Sequence, residues 1–93
     1  MELIEMMNKY WETHEAKYYP GIKNNWFENV EDDEDGRNLV EILLKELFIG
    51  STWNLETKSE LQKAGYRCWI GDGDSFGILV ACITKGGKSL AIG

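Results

Sequence analysis

The chain carries five consecutive carboxylates at residues 31–35, followed directly by Gly36. Carboxylates at alternate positions before a glycine are typical of the calcium loop of a helix-loop-helix hand. If Gly36 takes position six of that loop, position twelve, which requires a bidentate glutamate, is Ile42. We therefore expect neither a bound metal nor another cofactor, although a weakly calcium-responsive loop is retained as an alternative.

The same run also fits the start of a helix. A carboxylate just before a helix accepts hydrogen bonds from its free N–H groups and interacts favourably with its positive end. Asp33 and Asp35 are the candidate caps. One or two acids suffice for this role, whereas five adjacent acids repel one another. The surplus charge favours recognition of something outside the chain.

The hypothesis that follows is a negative surface that recognises a cationic protein. Charge of this kind speeds encounter and fixes orientation, while affinity comes from buried aromatic or arginine anchors. Aromatic residues lie close to the run in sequence and are candidate anchors, although each of them would serve equally well in the core. The predicted partner-binding residues are Trp26, Phe27, Glu28, Glu31, Asp32, Asp33, Glu34 and Asp35.

Small size and excess acid without a catalytic set are typical of immunity proteins and antitoxins. We therefore predict an inhibitor that covers the basic surface of a nuclease toxin or another nucleic-acid-binding effector. Three alternatives stay open: a calcium-binding module, a small enzyme of unknown class, and a self-associating structural module. The structural module would use the predicted middle strand at residues 76–84, which is apolar on both faces, together with the exposed strand edge at residues 89–92. The oligomeric state is left open.

Catalytic residues are sparse, so we do not expect an enzyme. A nucleophilic thiol would need a neighbouring base, and the only histidine, His14, lies on the apolar stripe of a helical pattern, where a packed, hydrogen-bonded role is favoured. Zinc is poorly supplied, because Cys68, Cys82 and His14 offer at most three ligands without close spacing.

Composition sets further limits. Ninety-three residues predict a single globular domain spanning residues 1–93. The net charge is −6, and residues 1–49 hold twelve of the sixteen acids, so direct binding of nucleic acid is not expected. The first residues lack the pattern of a signal peptide, and no run approaches the roughly 18 apolar residues of a membrane span. We therefore expect a cytoplasmic protein that does not bind membranes.

Periodicity predicts the elements that position these residues. Apolar spacings of three and four predict helices over residues 2–18 and 36–49. A capping-box pattern at Thr57 and Glu60, followed by Gly65 as a stop, predicts a third helix over residues 54–64. Apolar runs separated by glycine-rich turns predict a β-meander over residues 66–92. The predicted fold is α+β, with three N-terminal helices followed by a three-stranded antiparallel meander. The predicted core is Leu3, Met7, Tyr10, Leu39, Leu43, Leu47, Leu61, Trp69, Ile78, Val80 and Ile83.

Overall fold

The computed structural model describes residues 2–50, 52–72 and 79–92. The described helices are α1 (Glu2–Thr13), α2 (Glu34–Leu47) and α3 (Leu55–Lys63), with a 3₁₀ turn at Val30–Asp32. The described strands are β1 (Asn25–Trp26), β2 (Phe48–Ile49), β3 (Thr52–Trp53), β4 (Arg67–Asp72), β5 (Leu79–Lys85) and β6 (Lys88–Ile92). None of these helices has the length and apolar character needed to cross a membrane.

The fold is α+β, but the predicted arrangement of three helices followed by a three-stranded meander is wrong. The described residues form a mixed four-stranded sheet in the order β1-β6-β5-β4 and a separate two-stranded sheet of β2 and β3. β1 lies between α1 and α2 in the chain and pairs parallel to β6, with Asn25 opposite Lys88 and Trp26 opposite Ser89. Strands of two residues are too short to show an alternating pattern, which is why periodicity missed β1, β2 and β3.

The parallel pairing of β1 changes the edge of the sheet. The Asn25 N–H donates to the Gly87 carbonyl at 2.8 Å, and the Phe27 N–H donates to the Ser89 carbonyl at 2.9 Å. The first half of β6 is therefore covered. The strand edge proposed for self-association at residues 89–92 is partly occupied within the chain itself.

The helices begin and end where capping and backbone pairing dictate, and these positions differ from those that the apolar periodicity predicts. α1 ends at Thr13, five residues before the predicted end, and Lys17 instead forms a bridge to Trp26. α2 begins at Glu34 with Asp33 as its cap, which confirms one of the two cap candidates.

The turn between β5 and β6 has positive φ at both Gly86 (61°) and Gly87 (78°), a conformation that favours glycine in two-residue hairpin loops.

One face of the sheet and the helices enclose the main core. Eight predicted core residues are buried, whereas Trp69 is 43% exposed and its prediction is wrong. Trp69 lies opposite Cys82 on the face of the sheet turned away from the helices. Ile78 lies outside the described residues, as does the side chain of Val80. The confirmed residues are Leu3, Met7, Tyr10, Leu39, Leu43, Leu47, Leu61 and Ile83.

The outer face of the sheet carries a second, small aromatic layer. The rings of Trp26 and Trp69 meet edge to face, with centroids 6.5 Å apart and an interplanar angle of 81°. The Trp69 indole N–H donates to the Thr84 hydroxyl at 3.4 Å, and the Thr84 and Ser89 hydroxyls are 2.9 Å apart. Ser89 is fully buried on this face. The outer face is therefore partly closed around polar side chains.

Candidate functional site

The acidic segment is held in a defined backbone conformation. Asn29 adopts a left-handed conformation with φ of 52° before the 3₁₀ turn, a region that asparagine tolerates better than most residues. The Asp32 N–H donates to the Asn29 carbonyl at 2.9 Å, and Arg37 Nη1 donates to the Glu31 carbonyl at 3.1 Å. These contacts tie the segment to the first turn of α2 and fix the path of its backbone.

Asp33 has a structural role within the run. Its Oδ1 accepts a hydrogen bond from the Gly36 N–H at 2.6 Å, which caps α2. Its Oδ2 lies 3.4 Å from His14 Nε2, at the C-terminal end of α1. Asp33 therefore joins the two helices and is not free for a partner. The sequence analysis grouped Asp33 with the neighbouring acids as a partner-binding residue, but each of its two carboxylate oxygens makes a contact within the chain.

Gly36 is required by a close approach between backbones. A Cβ at this position would overlap the carbonyl oxygen of Val30 and contact its side chain. Val30 is itself buried in the core, so it cannot move away easily. The glycine that resembled position six of a calcium loop therefore allows the 3₁₀ turn to pack against α2.

Five of the six predicted carboxylates are exposed, and four of these belong to the run at residues 31–35. Among the described residues they form no ion pair, and we define Glu31, Asp32, Glu34 and Asp35 as the acidic surface. Glu28 is different, because its carboxylate lies 3.5 Å from Lys17 Nζ. The structure therefore neutralises one acid, uses Asp33 as a cap and leaves four carboxylates facing solvent.

The aromatic anchors expected from the sequence are placed inside the protein. Phe27 is buried, and its ring contacts Tyr10 and Trp11 edge to face at centroid distances of 5.1 and 4.8 Å. Trp26 is half-buried in the outer aromatic layer, and its indole N–H is buried without a partner among the described atoms. Phe27 is therefore a core residue, and neither ring projects as an anchor beside the acidic surface.

His14 confirms the packed, hydrogen-bonded interpretation. Its ring stacks on Tyr10, with centroids 3.9 Å apart and an interplanar angle of 11°. The Thr13 hydroxyl donates to the Lys9 carbonyl at 2.8 Å and lies 2.9 Å from His14 Nδ1. Nδ1 therefore faces the Thr13 hydroxyl, and Nε2 faces Asp33. Burial, with a further contribution from Asp33 and Asp35, raises the pKa of Tyr10 to about 12.

Metal binding has limited support in this region. His14, Asp33 and Asp35 each offer one ligand atom, and the three atoms lie within 4.8 Å of one another. Three ligands are one fewer than a closed tetrahedral zinc site requires and well short of the six to eight oxygens of calcium. The positive end of α2 also opposes a cation at this position. The contact between His14 and Asp33 accounts for the cluster without an ion.

The two cysteines are poorly suited to nucleophilic chemistry. Both are buried and free. Burial raises the pKa of the Cys82 thiol and of the Cys68 thiol, and in Cys68 the nearby Lys58 only partly opposes this rise. A raised pKa disfavours the thiolate, which is the reactive form.

A cationic cavity on the outer side of the molecule was missed by the sequence reasoning. The cavity has a volume of about 330 Å³, and Lys23, Arg67 and Lys85 all line it. In the sequence these bases are isolated, at separations of 44 and 18 residues. The pairing of Arg67 with Thr84 and the hydrogen bond from the Asn25 N–H to the Gly87 carbonyl bring the segments of this cavity together. No spacing in the sequence indicates this cavity, because sheet pairing brings the three bases together.

Comparison with known proteins gives no match among protein-family models, curated proteins or solved structures. The geometry and charge of the chain itself are therefore the basis of any functional proposal. Two features of the described residues provide a starting point: the exposed acidic surface and the cation-lined cavity.

Proposed function

We propose that the chain is a small inhibitory binding protein of the immunity or antitoxin type, acting in the cytoplasm. It would bind a basic protein, such as a nuclease toxin or a nucleic-acid-binding effector, and cover the surface that this protein uses for phosphate. The observation that carries the proposal is the acidic surface: four adjacent exposed carboxylates without an ion-pair partner among the described residues.

The stability of the fold does not account for all four charges. Glu34 and Asp35 lie in the first turn of α2, where each carboxylate contributes about 0.3–1 kcal/mol through the positive helix end. Glu31 and Asp32 lie in the 3₁₀ turn before α2, and their side chains accept no hydrogen bond among the described residues. Their charges add repulsion to a crowded segment. A cationic surface on a partner protein would relieve this repulsion, and that relief would favour binding.

The backbone presents these charges in a fixed arrangement. The cap at Asp33, the close packing at Gly36 and the hydrogen bond from Arg37 to Glu31 all fix the segment from within. A preorganised charged surface loses little conformational entropy on binding and favours a partner with complementary charge. Since Phe27 is buried and Trp26 is half-buried, we expect charge to dominate encounter with the partner.

The test is affinity capture from an extract of the producing cell, with mass spectrometry of the bound proteins. The test variant replaces only the acidic surface: Glu31→Gln, Asp32→Asn, Glu34→Gln and Asp35→Asn. Asp33 is kept, because its loss would remove the α2 cap and confuse binding with folding. The matched control removes four exposed carboxylates elsewhere, on α1, α2 and α3: Glu2→Gln, Glu5→Gln, Glu41→Gln and Glu56→Gln.

We expect wild type and the control to retain one basic protein at low salt and the acidic-surface variant to lose it. The captured protein should bind nucleic acid or cleave it, and added wild-type chain should inhibit that activity. Equal capture by wild type and the acidic-surface variant would contradict the proposal. So would a captured partner with no basic surface or one whose activity is unchanged by the chain.

A further inference from the structure

The second feature is the cavity lined by Lys23, Arg67 and Lys85, which we call the cationic cavity. Among the described residues no acid lines it, although the protein as a whole has a net charge of −6. None of the ion pairs among the described residues includes these three bases. Three cations around one space repel one another unless an anion lies between them. The cavity therefore has the electrostatics of a site for a negatively charged ligand.

The bases are attached to well-fixed parts of the fold. Arg67 lies on β4 opposite Thr84 of β5, within the antiparallel ladder. The segment carrying Lys23 enters β1, which is held to β6 by the hydrogen bond from Asn25 to Gly87. Because strands and paired backbone carry these side chains, the charges are held around a common space.

Lys85 is placed by two contacts at the end of β5. Its Nζ lies 4.5 Å from the centroid of the Tyr66 ring, a cation–π contact that restrains the ammonium group. Gly65 has φ of +95°, and a Cβ there would lie 3.3 Å from the Lys85 side chain. Glycine at this position therefore gives the backbone its left-handed turn and leaves room for Lys85.

The remaining lining residues indicate what else the ligand carries. Thr84 and Asn24 supply a hydroxyl and an amide, and Trp69 supplies an indole that is 43% exposed. An exposed aromatic side chain beside clustered bases is suited to a planar ring that carries an anionic group. A volume of about 330 Å³ lies at the lower end of the range for small-molecule sites. Arginine and lysine together are typical ligands of phosphate.

We propose that the cationic cavity binds a small phosphate monoester that carries a planar ring, as a mononucleotide does. Arg67 and Lys23 would contact the phosphate, Lys85 would contribute charge from the side, and Trp69 would pack against the ring. This site is separate from the acidic surface and does not depend on the inhibitory function. The ligand proposed for the cationic cavity is an anion, whereas the acidic surface selects a cationic protein.

The test is a titration of ¹⁵N-labelled full chain followed by amide chemical shifts. The probes are AMP, inorganic phosphate and adenosine, which separate the contributions of the phosphate and the ring. We expect saturable shifts with AMP that centre on Arg67, Thr84 and Gly86, weaker binding of inorganic phosphate, and still weaker binding of adenosine. Arg67→Gln should weaken AMP at least tenfold, since a charge-assisted hydrogen bond is lost.

Two further variants make the result specific. Trp69→Leu should weaken AMP severalfold and leave inorganic phosphate unchanged, and Lys23→Gln provides a second charge variant should Arg67→Gln fail to fold. Lys45→Gln removes the same charge from α2, away from the cavity, and should leave AMP affinity unchanged. The proposal is overturned if no probe gives saturable shifts at millimolar concentration, if the shifts lie elsewhere, or if Lys45→Gln weakens AMP as much as Arg67→Gln. Binding of inorganic phosphate as tight as AMP would overturn the assignment of the ring.

Discussion

Asp33 offers a direct way to separate the structural part of the acidic run from its exposed part. The Asp33 Oδ1 caps α2 through the Gly36 N–H at 2.6 Å, and Oδ2 contacts His14 Nε2 at 3.4 Å. Asp33→Ala removes both contacts. Loss of an N-cap costs about 1 kcal/mol, within a range of about 0.5–2. The contact with His14 is partly exposed and adds about 0.2–1 kcal/mol.

The variants therefore have a predicted order of stability. Asp33→Ala should lower the free energy of unfolding by about 1–2 kcal/mol, which corresponds to a fall of roughly 4–16 °C in Tm for a domain of this size. Asp33→Asn keeps a good cap and loses only the charge, so its free energy of unfolding should fall by less than about 1 kcal/mol. Asp32→Ala is the matched control, because Asp32 is exposed and its side chain makes no hydrogen bond among the described residues. This control should stay within about 0.5 kcal/mol of wild type.

The assay is equilibrium unfolding in urea at constant pH and salt, followed by far-ultraviolet circular dichroism. A stability change without a change in cooperativity appears as a shifted midpoint with an unchanged slope. Two results would refute the reasoning. In one, Asp33→Asn is as damaging as Asp33→Ala, which would mean that charge rather than capping matters. In the other, Asp32→Ala and Asp33→Ala have equal stability, which would mean that the run is structurally uniform.

Two other perturbations test the packing of the fold. Gly36→Ala should lower the free energy of unfolding by several kcal/mol, because the new Cβ overlaps the Val30 carbonyl; a thermal midpoint within a few degrees of wild type would contradict this contact. Burial raises the pKa of Tyr10 and of Tyr66 to about 12, whereas both phenols ionise near pH 10 in the unfolded chain. The folded state thus holds these protons more tightly, so stability should be fully present below about pH 10 and fall by roughly 2 kcal/mol or more as the pH approaches 12. Urea midpoints at successive pH values should show this fall, Tyr66→Phe should make it shallower, and a flat profile to pH 12 would contradict it.

Sequence reasoning succeeded where a signal was local and repeated. The apolar spacing of Leu39, Leu43 and Leu47 predicted α2, and Asp33 was correctly among the candidate caps. The two glycines at residues 86 and 87 correctly predicted the tight turn between β5 and β6. These features depend on neighbours in the chain, so the sequence contains the information needed to identify them.

Features that depend on distant pairing were not predictable in the same way. β1 contains only Asn25 and Trp26 and is defined by its contact with β6, more than 60 residues later. Trp69 looked like a core residue because large aromatic residues are usually buried, but its position in β4 places it on the outer face. Phe27 was a candidate anchor because it lies near the acids in sequence, although its ring packs into the core between α1 and the sheet.

In the candidate sites too, the local features were predictable from the sequence, and the features that depend on distant contacts were not. The acidic run was visible in the sequence, but its separation into a cap at Asp33 and an exposed remainder required the backbone geometry. The cationic cavity combines bases from a loop, a strand and a hairpin end. No spacing rule connects Lys23, Arg67 and Lys85, because the distances between them are set by sheet pairing rather than by helical or strand periodicity.

The most direct test of the inhibitory function is the association rate between the chain and its captured basic partner, measured at about 50 and 500 mM salt. Electrostatic encounter is screened over about 10 Å at 0.1 M ionic strength, so the rate for wild type should fall at least tenfold as salt rises. The acidic-surface variant should associate slowly at both salt concentrations, and the control with Glu2, Glu5, Glu41 and Glu56 replaced should retain most of the salt dependence. A rate that is independent of salt, or one that is equal for wild type and the acidic-surface variant, would show that the exposed carboxylates do not recognise the partner.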